Sequence, residues 1–156
     1  MLSPHGHWKF GRFRPDQQHR CAQFARLGFV VFSYDMIGFG FHDEKNEWDW
    51  DADSRQMGHS DSKVLVMQFH DSIRSLDFLY EYVEVILGAG EISYKVDECA
   101  VSGASRGATR TFYLAAVDNR VDISIPVGMV SSEFYGGCVC ESGLPVHSNN
   151  KTKQIQ

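Results

Sequence analysis

The sequence predicts an α/β fold, a mostly parallel sheet with helices on both faces. Three observations carry this expectation. Short apolar runs rich in β-formers, at 29–34, 98–103 and 121–130, alternate with segments of helical period. Apolar content of 43% and charged content of 22% over 156 residues are those of an ordinary globular domain with a real core. One strand candidate also runs straight into a glycine-rich turn and a helix, "VSGASRGATR" at 101–110.

Taken in order, Pro15 and Asp16 open a helix whose apolar positions are Cys21, Phe24 and Ala25, and Gly28 stops it. "FVVFSY", Phe29 to Tyr34, reads as a buried central strand, being apolar throughout rather than alternating. The polar stretch from Asp35 to Asp61 is too long for a plain connector, so it reads as functional or as a small excursion. Leu65, Phe69, Ile73, Leu76, Tyr80 and Val83 then repeat at steps of three and four, the stripe of an amphipathic helix capped by Ser60, Asp61 or Ser62. "LGAGE" ends it. "ECAVSG", Glu98 to Gly103, is the next strand. A helix from Ser105 to Val117 follows and is expected to bury Ala108, Phe112 and Ala115. "VDISIPVGMV", Val121 to Val130, is a further strand, and "HSNNKTKQIQ" is a polar tail without pattern.

Composition narrows the function classes. A net charge of -5 and a pI near 5.7 argue against nucleic acid or anionic lipid as partner, and leave room for a neutral substrate such as a carbohydrate ester. No apolar run approaches the roughly 20 residues that span a bilayer, so no membrane association is expected. "MLSPHGHWKF" shows no signal-peptide pattern. Cys21 and Cys99 sit in apolar patterns and read as small buried residues. Cys138 and Cys140, with Glu141 and His147 nearby, make one loose cluster where a zinc site needs two spaced ligand pairs, so no metal is expected. The aspartates of 35–61 lack the spacing of a calcium loop and read as a solvated face.

The loop at 101–110 fits two chemistries. Gly103 and Gly107 match a short-chain dehydrogenase phosphate turn, but the third glycine position is Thr109. The motif also lies late in the chain, behind earlier strand candidates, and no tyrosine has lysine four residues later. A dinucleotide cofactor therefore does not fit. The same letters hold Gly103-Ala104-Ser105-Arg106-Gly107, the G-x-S-x-G of a serine hydrolase elbow. That motif needs a serine on a sharp strand-to-helix turn, with small residues two before and two after it. The helix N-terminus then turns backbone N–H groups toward developing negative charge. The N–H of Arg106 would form half of an oxyanion hole. "PHGHW" would supply the other half through the N–H groups of His7 and Trp8, Gly6 letting the backbone swing. The competing expectation is that Ser105 merely caps a helix in a non-catalytic sheet that binds a ligand or partner.

With these residues in view, the chain resembles an α/β-hydrolase of the acetyl xylan esterase-like type. The likeness runs through "SPHGHW", "RCAQFARLGFVVFSYDMIGFG", "QFHDSIRSLDFL", "VSGASRGATRTFYLAAVDNRV" and "GGCVCESGLPVH". It implies an α/β-hydrolase fold with Ser105 as nucleophile and the backbone around His7 and Arg106 as oxyanion hole. Asp35, Gly38 and Gly40 would form a structural turn after a central strand, with His42 where serine is usual. The Ser-Arg pair is similar to that of glucuronoyl esterases, which implies that the Arg106 guanidinium also helps the oxyanion.

The resemblance also implies an acid and then a histidine after the serine. His147 is the only histidine there, so His147 as base with Glu133 or Glu141 as acid is the arrangement the chain offers, against the family's order. His5 and His7 belong to the oxyanion loop, while His19, His59 and His70 read as solvated or hydrogen-bonded. The expectation is thus of a partial core over 1–147, without the fold's first and last strands, and a tail at 148–156. The expected activity is acyl-ester hydrolysis through Ser105 without a cofactor, with acetyl esters of polysaccharide as the implied substrates. Turnover by this stretch alone is expected to be low.

Overall fold

The structure, a computed structural model, describes residues 1–6, 8, 10–37, 64–87 and 96–128. A 3-10 turn, Gly11–Phe13, leads into α1, Pro15–Arg26; α2 is Val64–Leu87; β1, Ala100–Ala104, is followed by α3, Arg106–Val117, and β2, Ile123–Val127. β1 and β2 pair in parallel, Ala100 opposite Ile123 through to Ala104 opposite Val127. Leu2 extends this sheet on the other side, with parallel bridges to both Val101 and Phe32. The lateral order is therefore Phe32, Leu2, β1, β2. An α/β architecture with a parallel sheet is what the alternating pattern predicted.

The two faces of the sheet follow from the period-two alternation of extended chain. Leu2, Phe32, Tyr34 and Val101 point one way and pack with Leu76 and Leu79 of α2 and Leu114 of α3. Ser3 and Ser33 point the other way, where Gln17 of α1 donates to the Ser3 carbonyl at 3.0 Å and to Ser33 Oγ at 3.0 Å. Proline at the first turn of α1 and Gly28 at φ 94 just beyond it mark its ends as expected, since only glycine takes that conformation without strain.

α2 buries the predicted stripe from Phe69 on: Leu76 and Val83 are buried, and Phe69, Ile73 and Tyr80 lie against the core, while the side chain of Leu65 lies outside those described. Its expected caps at 60–62 lie outside the described residues, as does the stretch 38–63.

Three expectations change. Phe29–Tyr34 is not a buried central strand: pairing shrinks to the bridge at Phe32, and Phe29 and Val30 are each 43% exposed. Among the described residues this segment is paired on one side only.

α3 buries Ala108 but leaves Phe112 53% exposed and Ala115 half-buried. Its first six residues, Arg106 to Thr111, are all buried because this end is wedged under other backbone; burial beyond them falls on Leu114 rather than on the predicted face. Cys99 is buried as expected, but Cys21 is only half-buried; both thiols are free.

Candidate functional site

Sheet topology singles out one position. The chain runs from Leu2 through α1 to Phe32 on one side of Leu2, then through α2 to β1 on the other side. The connections therefore reverse direction between Leu2 and β1. In parallel sheets ligands bind beyond the carboxyl ends of the strands at such a reversal. The segments that leave those two ends are Ser3 to Gly6 and the turn at Ser105.

Ser105 has φ 54 and ψ -120, and it is the non-glycine residue with positive φ among the described residues. A serine N-cap ordinarily has extended φ and ψ and accepts a bond from the helix's own first N–H groups. Ser105 does neither, because its side chain makes no cap bond to α3. Capping therefore does not account for it. Its backbone is fixed instead by its N–H, which donates to the Val127 carbonyl at 3.0 Å, and by its carbonyl, which accepts from Ala108 and Thr109. Strain of this kind costs about 1–3 kcal/mol and persists only where the surroundings impose it.

The flanking glycines show how it is imposed. A Cβ on Gly103 would stand within 3.0 Å of the carbonyl and Cα of Gly107. A Cβ on Gly107 would stand within 3.0 Å of the carbonyl oxygens of Pro4 and His5. Strand, helix and loop backbones are thus stacked with no room for a side chain at either crossing. This stacking brings the loop that begins at Pro4 against the first turn of α3.

That turn is electrostatically unusual. No acidic residue sits in it, and it begins with Arg106, which is buried. An N-terminal turn normally gains from a carboxylate, and a cation there opposes the helix dipole. An anion arriving at this end would meet the positive end of the dipole.

The loop is held by His5, whose side chain is fully buried. Its Nδ1 lies 2.6 Å from the Gly6 carbonyl, and its Nε2 accepts from the Met36 N–H at 3.2 Å. A carbonyl can only accept and an amide N–H can only donate, so the ring carries its proton on Nδ1. Burial lowers the pKa of His5, with Arg12 and Arg20 acting in the same direction and the Gly6 bond and Asp35 opposing. His5 is thereby neutral, with both nitrogens engaged. The Gly6 carbonyl also accepts from the Trp8 N–H at 3.0 Å. The Trp8 amide expected to face the serine is thus turned back into the loop.

Asp35 ties the adjoining segments together. It accepts from the Arg12 backbone at 2.8 Å, pairs with the Arg12 guanidinium at 2.9 Å, and stands 3.7 Å from His5 Nε2. Beneath it Tyr34 and Ser72 share a 2.6 Å bond, the Ile37 N–H donates to Asp71 at 3.1 Å, and Gln68 donates to the Ile37 carbonyl at 3.0 Å. The buried Arg110 of α3 donates to Gln68 in turn. Sequence reading missed this network, because Gln68 and Arg110 look like surface residues until their partners on other elements are known.

Gly103, Ser105, Arg106 and Gly107 therefore share the tight turn from β1 into α3. His7, Gly38, Gly40, His42, Glu133, Glu141, His147, Cys138 and Cys140 lie outside the described residues. Among the described residues no group of three or more His, Cys, Asp or Glu could hold a metal ion, and no helix is long and apolar enough to cross a membrane. No protein-family model, curated protein or solved structure matches the chain.

Proposed function

We propose that the chain is a serine carboxylic-ester hydrolase of the α/β-hydrolase fold, with Ser105 as nucleophile. One observation carries the reading: Ser105 is held at positive φ between β1 and α3 without capping the helix. A serine kept in a costly conformation with no structural return is best explained by what its hydroxyl does.

In the proposed reaction Ser105 Oγ attacks the acyl carbonyl and loses its proton to a base. The carbonyl oxygen becomes an oxyanion at the N-terminus of α3, met by the Arg106 N–H and guanidinium and by the His7 N–H. The acyl–alcohol bond then breaks, the alcohol leaves with the proton, and water releases the acyl group from Ser105. His147 as base and Glu133 as acid complete the scheme. His5 is not the base, because both its ring nitrogens are engaged. A substrate of acetyl esters on polysaccharide follows from the family resemblance, and no cofactor is needed.

The reading is tested with a fluorophosphonate probe, whose reaction is a single event and needs no full cycle. An oxyanion hole alone retains a rate advantage of roughly 10³–10⁴ over water. Labelling mapped to Ser105 by mass spectrometry, and lost in Ser105→Ala, is the expected result. A folded protein that takes no label overturns the proposal and leaves a non-catalytic binding module.

A further inference from the structure

The oxyanion loop has no regular secondary structure to fix it, yet its place against α3 decides where its N–H groups point. Ser3 and Leu2 belong to the sheet, and Gly11 begins the 3-10 turn. Between them, among the described residues, the loop is held by bonds inside it and by bonds from other elements, such as that from Arg20 of α1 to the Pro4 carbonyl at 3.3 Å. The Trp8 N–H closes a tight turn onto the Gly6 carbonyl, and His5 Nδ1–H reaches the same oxygen from the other side. Nε2 of His5 joins the loop to the end of the Phe32 segment, at the Met36 N–H. Met36 is itself buried, and its neighbour Ile37 is bonded to α2 through both N–H and carbonyl.

We propose that His5 is a positioning residue for the oxyanion hole: as the Nδ1–H tautomer it clamps the Gly6 carbonyl to the Met36 amide and so registers the oxyanion loop to the sheet. The word oxyanion in this proposal rests on the esterase reading; the clamp itself does not. Protonation of the ring would set an Nε2–H against the Met36 N–H and break the outward half of the clamp. The charged groups that face the ring are Asp35 at the end of the Phe32 segment, Arg12 of the 3-10 turn and Arg20 of α1. Burial keeps the ring neutral through the physiological range.

Two variants divide the clamp. The amide of Asn superposes on Nδ1, so His5→Asn keeps a donor for Gly6 and loses the reach to Met36. The amide of Gln superposes on Nε2, so His5→Gln keeps an acceptor for Met36 and loses the Gly6 bond. In the wild-type chain, ¹⁵N spectra of the ring at pH 7.5 are expected to show the proton on Nδ1. Amide exchange at Met36 is expected to stay slow in His5→Gln and to speed by about tenfold or more in His5→Asn, the size of one lost hydrogen bond. At Trp8 the order is expected to reverse. Both variants are expected to slow fluorophosphonate labelling of Ser105 by about tenfold, with the probe concentration for half-saturation little changed. A ring proton on Nε2, or exchange at Met36 and Trp8 that responds equally to both variants, overturns the clamp. An intact clamp with unchanged labelling rates overturns its role in positioning. If the wild-type chain takes no label, the esterase reading fails, while the tautomer and exchange results still decide the clamp. Should neither variant fold, the wild-type tautomer decides it.

Discussion

The two ends of α3 belong to different kinds of protein. Its N-terminal end is crowded and polar: Arg106, Thr109, Arg110 and Thr111 are buried there, between backbone so close that two glycines are obligatory. Beyond its C-terminal end β2 carries Ile123, Ile125 and Val127 on one face, each more than 40% exposed. Ser124, on the opposite face, bonds the Thr111 carbonyl of α3 at 3.3 Å. Ordinary folding energetics would bury the isoleucines and expose the arginines. Arg110 donates to Gln68 and Thr111 to the Gly107 carbonyl, so polar order is concentrated where chemistry is proposed while apolar surface is left at the flank.

The sharpest way to break this contrast is at the backbone crossings. Gly107→Ala would drive a methyl into the Pro4 and His5 carbonyls, neither of which is a side chain able to swing away. A loss of about 3 kcal/mol or more is expected in urea unfolding, at the upper end of overpacking costs. Gly103→Ala is expected to match it, since it meets the same stack from the strand side.

A smaller effect of opposite sign is expected at Ser105. Ser105→Gly removes the penalty of φ 54 and is expected to raise stability by about 1 kcal/mol while abolishing labelling. A thermal melt of this variant beside Ser105→Ala, which keeps the strain, separates strain from loss of the hydroxyl. No gain over Ser105→Ala would remove strain from the argument.

Acid reaches the same end of the molecule through His5. Its folded pKa is lowered from an ordinary value of 6.5, so the unfolded chain binds more protons between the two values. The stability it contributes is complete above the ordinary histidine range. It declines as pH falls through that range toward the folded pKa, and is level below it. His5→Gln is expected to flatten this dependence, read from urea midpoints between pH 7.5 and pH 5. The least effect is expected at the flank. Ile125→Thr should change stability by no more than about 0.5 kcal/mol, because the residue lies at the surface. A large loss there would mean that the face is covered in solution, which light scattering would then detect as association.

Much of this was legible in the sequence. The helices at 15–26, 64–87 and 106–117 and the strands after 98 and 121 follow from period, proline and glycine, which act over a few residues. The turn from β1 to α3 was legible because its constraint is local as well: Gly103, Ser105 and Gly107 all serve it. What failed depended on distant partners. Whether Phe29 and Val30 are central or peripheral is decided by what pairs beside them, and the run "FVVFSY" reads the same in either place. Phe112 lost its expected burial because the wedging of Arg106 to Thr111 overrides helical period at that end. The polar core joining Gln17 to Ser33, and Gln68 to Ile37 and Arg110, is a set of long-range matches that no window along the chain contains. His5 was read as part of the loop around Gly6, but its partner Met36 lies far along the sequence.

The strain at Ser105 sets a direction for neutral drift. While the hydroxyl is needed, selection holds a residue that the backbone disfavours. Once it is not needed, glycine is the substitution the backbone rewards, and Gly103 and Gly107 must stay because the packing around them is unchanged. A descendant relieved of its chemistry would then read G-A-G-R-G between the same strand and helix. By its letters alone it would pass for a nucleotide-binding turn.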